Sequence, residues 1–238
     1  MKDISGQYYK AFQNEFDSAF STKEKSIELF NDLLEKSKGN TEKQFVNLLL
    51  FARSEQMFET ILILSIFGLI QDGSIIARSL FELSIQLRYI NKHNHHKRFL
   101  DYERDSDKIY YQLGKKHSFL EDSDNHKMIN IQKSWSDIKL QDMAEDLGIS
   151  GERELLVFKL SRYVHCDPSG LRFNYEELNG LGEFLATANP ERLKTELPNL
   201  LFYSQYSYSI VVCCVAESFS ITPPDMPLPE KYNTESAI

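Results

Sequence analysis

Apolar residues recur every three or four positions along most of this chain, a spacing that predicts helices nearly throughout. Phe12, Phe16, Phe20, Ile27, Phe30 and Leu34 mark a helical segment over residues 6–38, ended by Gly39-Asn40. Thr41-x-x-Gln44 reads as a capping box. It opens a long helix through Leu48, Phe51, Phe58, Leu62 and Phe67 that closes near Gly68. Gln71-Asp72-Gly73 reads as a short loop before a helix from Ser74 to Ile90, and a further helix is expected from Asn94 to Leu113. Residues 115–133 are polar and weakly periodic, which suits a loop or insert. Helical spacing resumes over Trp135–Leu147, stops at Gly148, and restarts at Ser150 to reach His165. Asp167-Pro168-Ser169-Gly170 is a stop, and Tyr175–Thr187 and Leu197–Ser220 are predicted as further helices.

No stretch sustains period-two alternation, so the predicted fold is all-α, a single bundle of about seven to nine helices. Residues 1–40 form an N-terminal helical segment and 41–221 the core domain with its insert at 115–133. Residues 222–238 form a Pro-rich tail, expected to be extended.

Composition sharpens this picture. The 238 residues include only 10 Gly and 7 Pro, too few breakers for a many-turned β-sandwich or barrel. Asp and Glu total 35 against 27 Lys and Arg, a net charge of −8, which excludes a globally basic nucleic-acid coat but not a local basic patch. Cys166, Cys213 and Cys214 match no disulfide framework or Cys-x-x-Cys metal site and read as thiols of a reducing cytoplasm. Met1–Phe20 lacks the apolar core of a signal peptide, and Ile61–Ile70 is too short to span a bilayer, so no membrane association is expected. The chain has no Gly-rich phosphate loop, dinucleotide fingerprint, His-Glu-x-x-His or Gly-x-Ser-x-Gly, and no cofactor is expected.

The helix from Ser74 carries the sharpest oddity. Ile76, Leu80, Leu83, Leu87 and Ile90 make one apolar stripe, and Ile75, Phe81, Ile85 and Tyr89 a second. Arg78 and Glu82 fall within the second, four residues apart on one face. One reading is an internal ion pair that fixes packing. The other is a pocket where Arg78 holds an anion such as phosphate while Glu82 orients it.

A second candidate is Lys159-Leu160-Ser161-Arg162-Tyr163-Val164-His165. Val157, Leu160 and Val164 form its packing stripe, with His165 opposite and Arg162 one turn earlier. An Arg and a His on one face suit metal-free phosphodiester chemistry. The His exchanges a proton with a ribose hydroxyl or leaving oxygen, and the Arg balances charge on the phosphate. The alternative is a His that favours the helix C-terminus.

Together, Arg78-Ser79-Leu80-Phe81-Glu82 and the later Ser161-x-x-x-His165 resemble a bacterial all-helical family whose function is unassigned. The resemblance spans roughly residues 42–215 and singles out Arg78, Glu82, Ser161 and His165. A more distant likeness is to the HEPN helical ribonucleases of toxin and antiphage systems, whose pattern is Arg, a polar residue, a few variable residues, then His. Here Arg162 and His165 have two residues between them; Lys159 stands at the family's longer spacing, followed by Leu160. The likeness implies a metal-independent endoribonuclease effector with His165, Arg162 and Glu82 catalytic, and Arg78, Lys159 and Ser161 binding the substrate anion. Its implied partners are RNA and a second copy of the chain, or a larger defence complex. The competing class is a non-enzymatic subunit that binds a protein or small anion through the same face.

Other clusters read as structural. His93, His95 and His96 sit in a basic run with Lys92, Lys97 and Arg98, whose spacing suits a solvated helix start better than a metal. That run could also meet RNA phosphates. Tyr203, Tyr206 and Tyr208 lie at helical spacing beside Leu200, Ile210 and Val211, as core and interface residues do.

Overall fold

The computed structural model describes residues 5–36, 41–102, 135–164, 175–178, 181–184 and 190–226. Its helices are α1 (Ser5–Ala11), α2 (Gln13–Lys36), α3 (Glu42–Ile66), α4 (Ile70–His93), α5 (Leu140–Asp146), α6 (Ser150–Val164) and α7 (Pro190–Ser218). Residues 96–102 are also helical. The architecture is all-α, with one small addition. Strands β1 (Tyr175–Leu178) and β2 (Leu181–Phe184) pair antiparallel, Tyr175 opposite Phe184 and Leu178 opposite Leu181.

The core forms where α3, α4 and α7 pack on one another. Phe51, Phe58 and Ile61 of α3, Leu80, Phe81, Ile85 and Leu87 of α4, and Tyr208, Val211 and Val215 of α7 are fully sealed from solvent. α4 is the central element, touching α3, α5, α6 and α7. This explains why apolar residues cover most of its circumference. α2 lies against α7 and α3 and contributes Phe16, Ala19, Leu29 and Leu33 to the same continuous core. On α7, Gln205 donates to Ser18 and Thr22 of α2, so the interface satisfies its buried amide.

Several boundaries follow local chemistry. The Thr41 hydroxyl accepts from the Gln44 backbone N–H, and the Gln44 side chain accepts from the Thr41 N–H, the reciprocal box read from the sequence. α3 ends just before Gly68, whose φ of +72° suits glycine, and a Cβ there would come within 2.7 Å of the Tyr8 ring. Gly148, also at φ +72°, separates α5 from α6 as expected.

Four expected elements are corrected. Gln71-Asp72-Gly73 is not a loop, because α4 starts at Ile70 and includes all three. Gly73 lies where α7 comes closest, a Cβ there standing 2.8 Å from Leu200 Cδ2. The helix expected from Trp135 begins only at Leu140, since the Ser136 hydroxyl captures the Ile138 N–H and holds that stretch in a turn. α7 starts at Pro190, not Leu197, with proline at the first helical position, where no N–H is required. Residues 175–178 and 181–184 form paired antiparallel strands rather than a helix. Asn179-Gly180, between the two in sequence, is a dipeptide that favours such pairing. The insert at 115–133 and the tail beyond Met226 lie outside the described residues.

Candidate functional site

Arg78 and Glu82 form the predicted pair one turn apart on α4, Arg78 Nε donating to Glu82 Oε1 at 3.0 Å. The pair is not sealed in the core. Their side chains retain 24% and 30% of their exposure, so water and solutes reach both. Arg78 meets Glu82 through Nε alone, and its two terminal nitrogens have no partner among the described residues. An arginine held in this way presents the guanidinium end that suits a phosphate or carboxylate. As a helix-stabilising device the pair is weak. The basic residue precedes the acidic one, the less favourable order, and such i,i+4 pairs contribute about 0.3–0.5 kcal/mol.

The same face continues one turn on. Gln86 accepts the Trp135 indole N–H at 3.0 Å, and Trp135, nearly buried, packs edge-on against Phe99. Arg78, Glu82 and Gln86, each four residues apart, thus form a polar ridge along α4. The reading of the sequence missed Gln86, though its i+4 spacing from Glu82 was visible.

α6 carries the other candidates. It starts beside the C-terminal end of α4: Asp146, just before it, bonds Lys92 and His93, and Leu147 faces the same cleft as Arg88 and Lys92. Tyr206 donates to Glu152 in its first turn, and burial with that bond pushes the phenol up to about 12. From there α6 stays packed mainly on α4, burying Leu156 and Leu160. Lys159 and Ser161 are half-buried and make no hydrogen bond or ion pair among the described residues. His165 and the side chain of Arg162 lie outside the described residues.

The histidine run is divided by the fold. His93 bonds Asp146 Oδ2 at 2.8 Å, and this bond with that of Lys92 holds the Asp146 carboxyl below its usual range. His96 is not part of a solvated helix start, being only 5% exposed, with Nε2 2.9 Å from Asn91 Oδ1. Tyr208 is core, stacked on Phe58 and bonded to Ser26 and Glu55. Burial, more than Glu217, raises both the Cys213 and Cys214 thiols, the second to about 12, which makes them poor nucleophiles.

No helix among the described residues is long and apolar enough to cross a membrane. No curated protein and no solved structure is significantly similar to the chain. One family model matches residues 44–181, a segment that contains every candidate residue on α4 and α6 and ends before α7. On that match, over more than half its length, the chain belongs to a family of unknown function, DUF5677.

Proposed function

We propose that the face shared by α4 and α6 holds a phosphate group, and that the chain is an effector of a bacterial defence or toxin-type system that cleaves RNA without a metal. The observation that carries the first half is Arg78, fixed through Nε by Glu82 at a half-exposed position, its terminal nitrogens without a partner among the described residues. The second half rests on the Ser161-Arg162-x-x-His165 pattern at the end of α6, the helix packed mainly on α4. In this reading His165 takes the proton of a ribose 2′-hydroxyl as its oxygen attacks the adjacent phosphorus. The P–O5′ bond breaks, the 5′-oxygen receives a proton, and a 2′,3′-cyclic phosphate remains. Arg78, Arg162 and Lys159 balance the charge that builds on the phosphate oxygens, Ser161 donates to one of them, and Glu82 positions Arg78.

The test is cleavage of a fluorescent single-stranded RNA in EDTA by the purified chain, with thermal melts of each variant. Wild type should cleave. His165→Ala should lose about 10²–10⁴-fold in rate without a changed melting temperature. Arg78→Ala should weaken RNA binding. Binding without cleavage by the wild type would assign the face to the non-enzymatic, anion-binding class. Neither binding nor cleavage would overturn the proposal.

A further inference from the structure

About 15 Å along α4 from Arg78 lies a second polar feature. A half-open cleft of about 360 Å3 separates the ends of α3, α4 and α7. Lys43 enters it from α3, Arg88 and Lys92 from α4, and Glu217 from α7. Lys92 is neutralised by Asp146. Lys43 and Arg88 are half-buried, and neither side chain makes a hydrogen bond or ion pair among the described residues. With Glu217 the carboxylate among the residues lining the cleft, these two partly desolvated cations leave an excess of positive charge that a bound anion would complete. Lys43 is close enough to help keep the His96 imidazole neutral, so its charge is felt through the wall of the cleft.

That wall is built rather than incidental. Asn91 lines the cleft and is locked from behind. Its amide and that of Asn47 donate to each other at 2.9 and 3.0 Å, and the ring of His96 meets its oxygen at 2.9 Å. Asn47 and His96 are buried, so the network holds Asn91 in one orientation. The signal was present in the sequence as a lone Asn between Val46 and Leu48, in a helix otherwise apolar there.

We propose that this cleft binds a small phosphate monoester whose organic group carries hydroxyls, as a nucleotide or a sugar phosphate does. Lys43 and Arg88, from two helices, outnumber the single carboxylate of Glu217, and with the fixed Asn91 amide they suit the several acceptor oxygens of a phosphate. The volume falls within the range of small-molecule sites, about 300–1,000 Å3, and exceeds what a bare phosphate fills. Glu217 supplies an acceptor for hydroxyl groups, and Leu147 and Cys214 an apolar wall. The proposal does not depend on RNA cleavage at Arg78.

The test is titration calorimetry of the full chain with adenosine 5′-monophosphate, glucose 6-phosphate, inorganic phosphate and succinate. At least one ester should bind more tightly than inorganic phosphate, and succinate should bind least; which ester binds identifies the organic group. Arg88→Gln and Lys43→Gln should each weaken the ester at least about tenfold. Arg78→Ala should leave this binding unchanged, which separates the site from the RNA-cleaving face. Lys43, near the start of α3, keeps the test available if Arg88→Gln does not fold. Ester binding should also move the His96 ring resonances by returning its titration toward the ordinary value, and Lys43→Gln should abolish that response. Failure of both esters to bind, equal binding of succinate, or unchanged affinity in the two Gln variants would overturn the proposal.

Discussion

Burial, reinforced by the Lys43 ammonium, keeps the His96 imidazole below its ordinary value of 6.5. In the unfolded chain that ring takes up a proton near 6.5, while in the fold it resists until lower pH. The unfolded state therefore binds more protons in this interval. Stability contributed by neutral His96 is present above 6.5, is lost as pH falls below it, and levels off beneath the folded value. Urea midpoints measured from about pH 8 to about pH 5 should drop in wild type more steeply than in His96→Gln; equal slopes would count against this account. The spacing of the histidines in the sequence did not reveal this difference. His93 and His96 share a helix-like interval, yet a left-handed residue at Asn94, φ +53°, breaks the helix between them and turns His96 inward. Arg78 and Glu82 were legible because an i,i+4 relation depends only on the helix that bears them. How exposed they are depended on what packs beside them.

At the level of elements, local signals were read reliably when the chemistry was local. Thr41 and Gln44 cap each other within four residues, so the start of α3 needed no tertiary information. Gly73 shows the opposite case. In sequence, Asp72-Gly73 has the composition of a turn, but in the fold it is a point of close helix packing. Leu200, itself buried, occupies the space a side chain would take. Gly73→Val should therefore destabilise the protein by about 1–3 kcal/mol, despite the better helix propensity of valine, as read from the urea midpoint. A stabilised variant would show that α7 can shift away. The strand pair 175–178 and 181–184 escaped notice because each strand is only four residues long, too short for alternation to register.

Across the whole molecule, α7 binds the N-terminal helices to the core through polar contacts distant in sequence. Tyr208 stacks on Phe58 at 4.6 Å and bonds both Ser26 of α2 and Glu55 of α3, and its phenol is strongly raised by burial and by Glu55. Tyr208→Phe keeps the ring and leaves Ser26 and Glu55 one partner fewer, so it should cost about 1–3 kcal/mol of unfolding free energy with the core intact. An unchanged denaturation midpoint would show that these groups find other partners. The class of fold, most helix positions and the Arg78–Glu82 pair follow from the residue order alone, because period, caps and i,i+4 neighbours are properties of one segment at a time. That the pair is half-exposed, that His96 is buried, and that Lys43 and Arg88 face one cleft came from the packing of separate helices. The reason is physical: burial and electrostatic environment are set by the residues that other helices bring alongside, and no spacing within one helix contains that information.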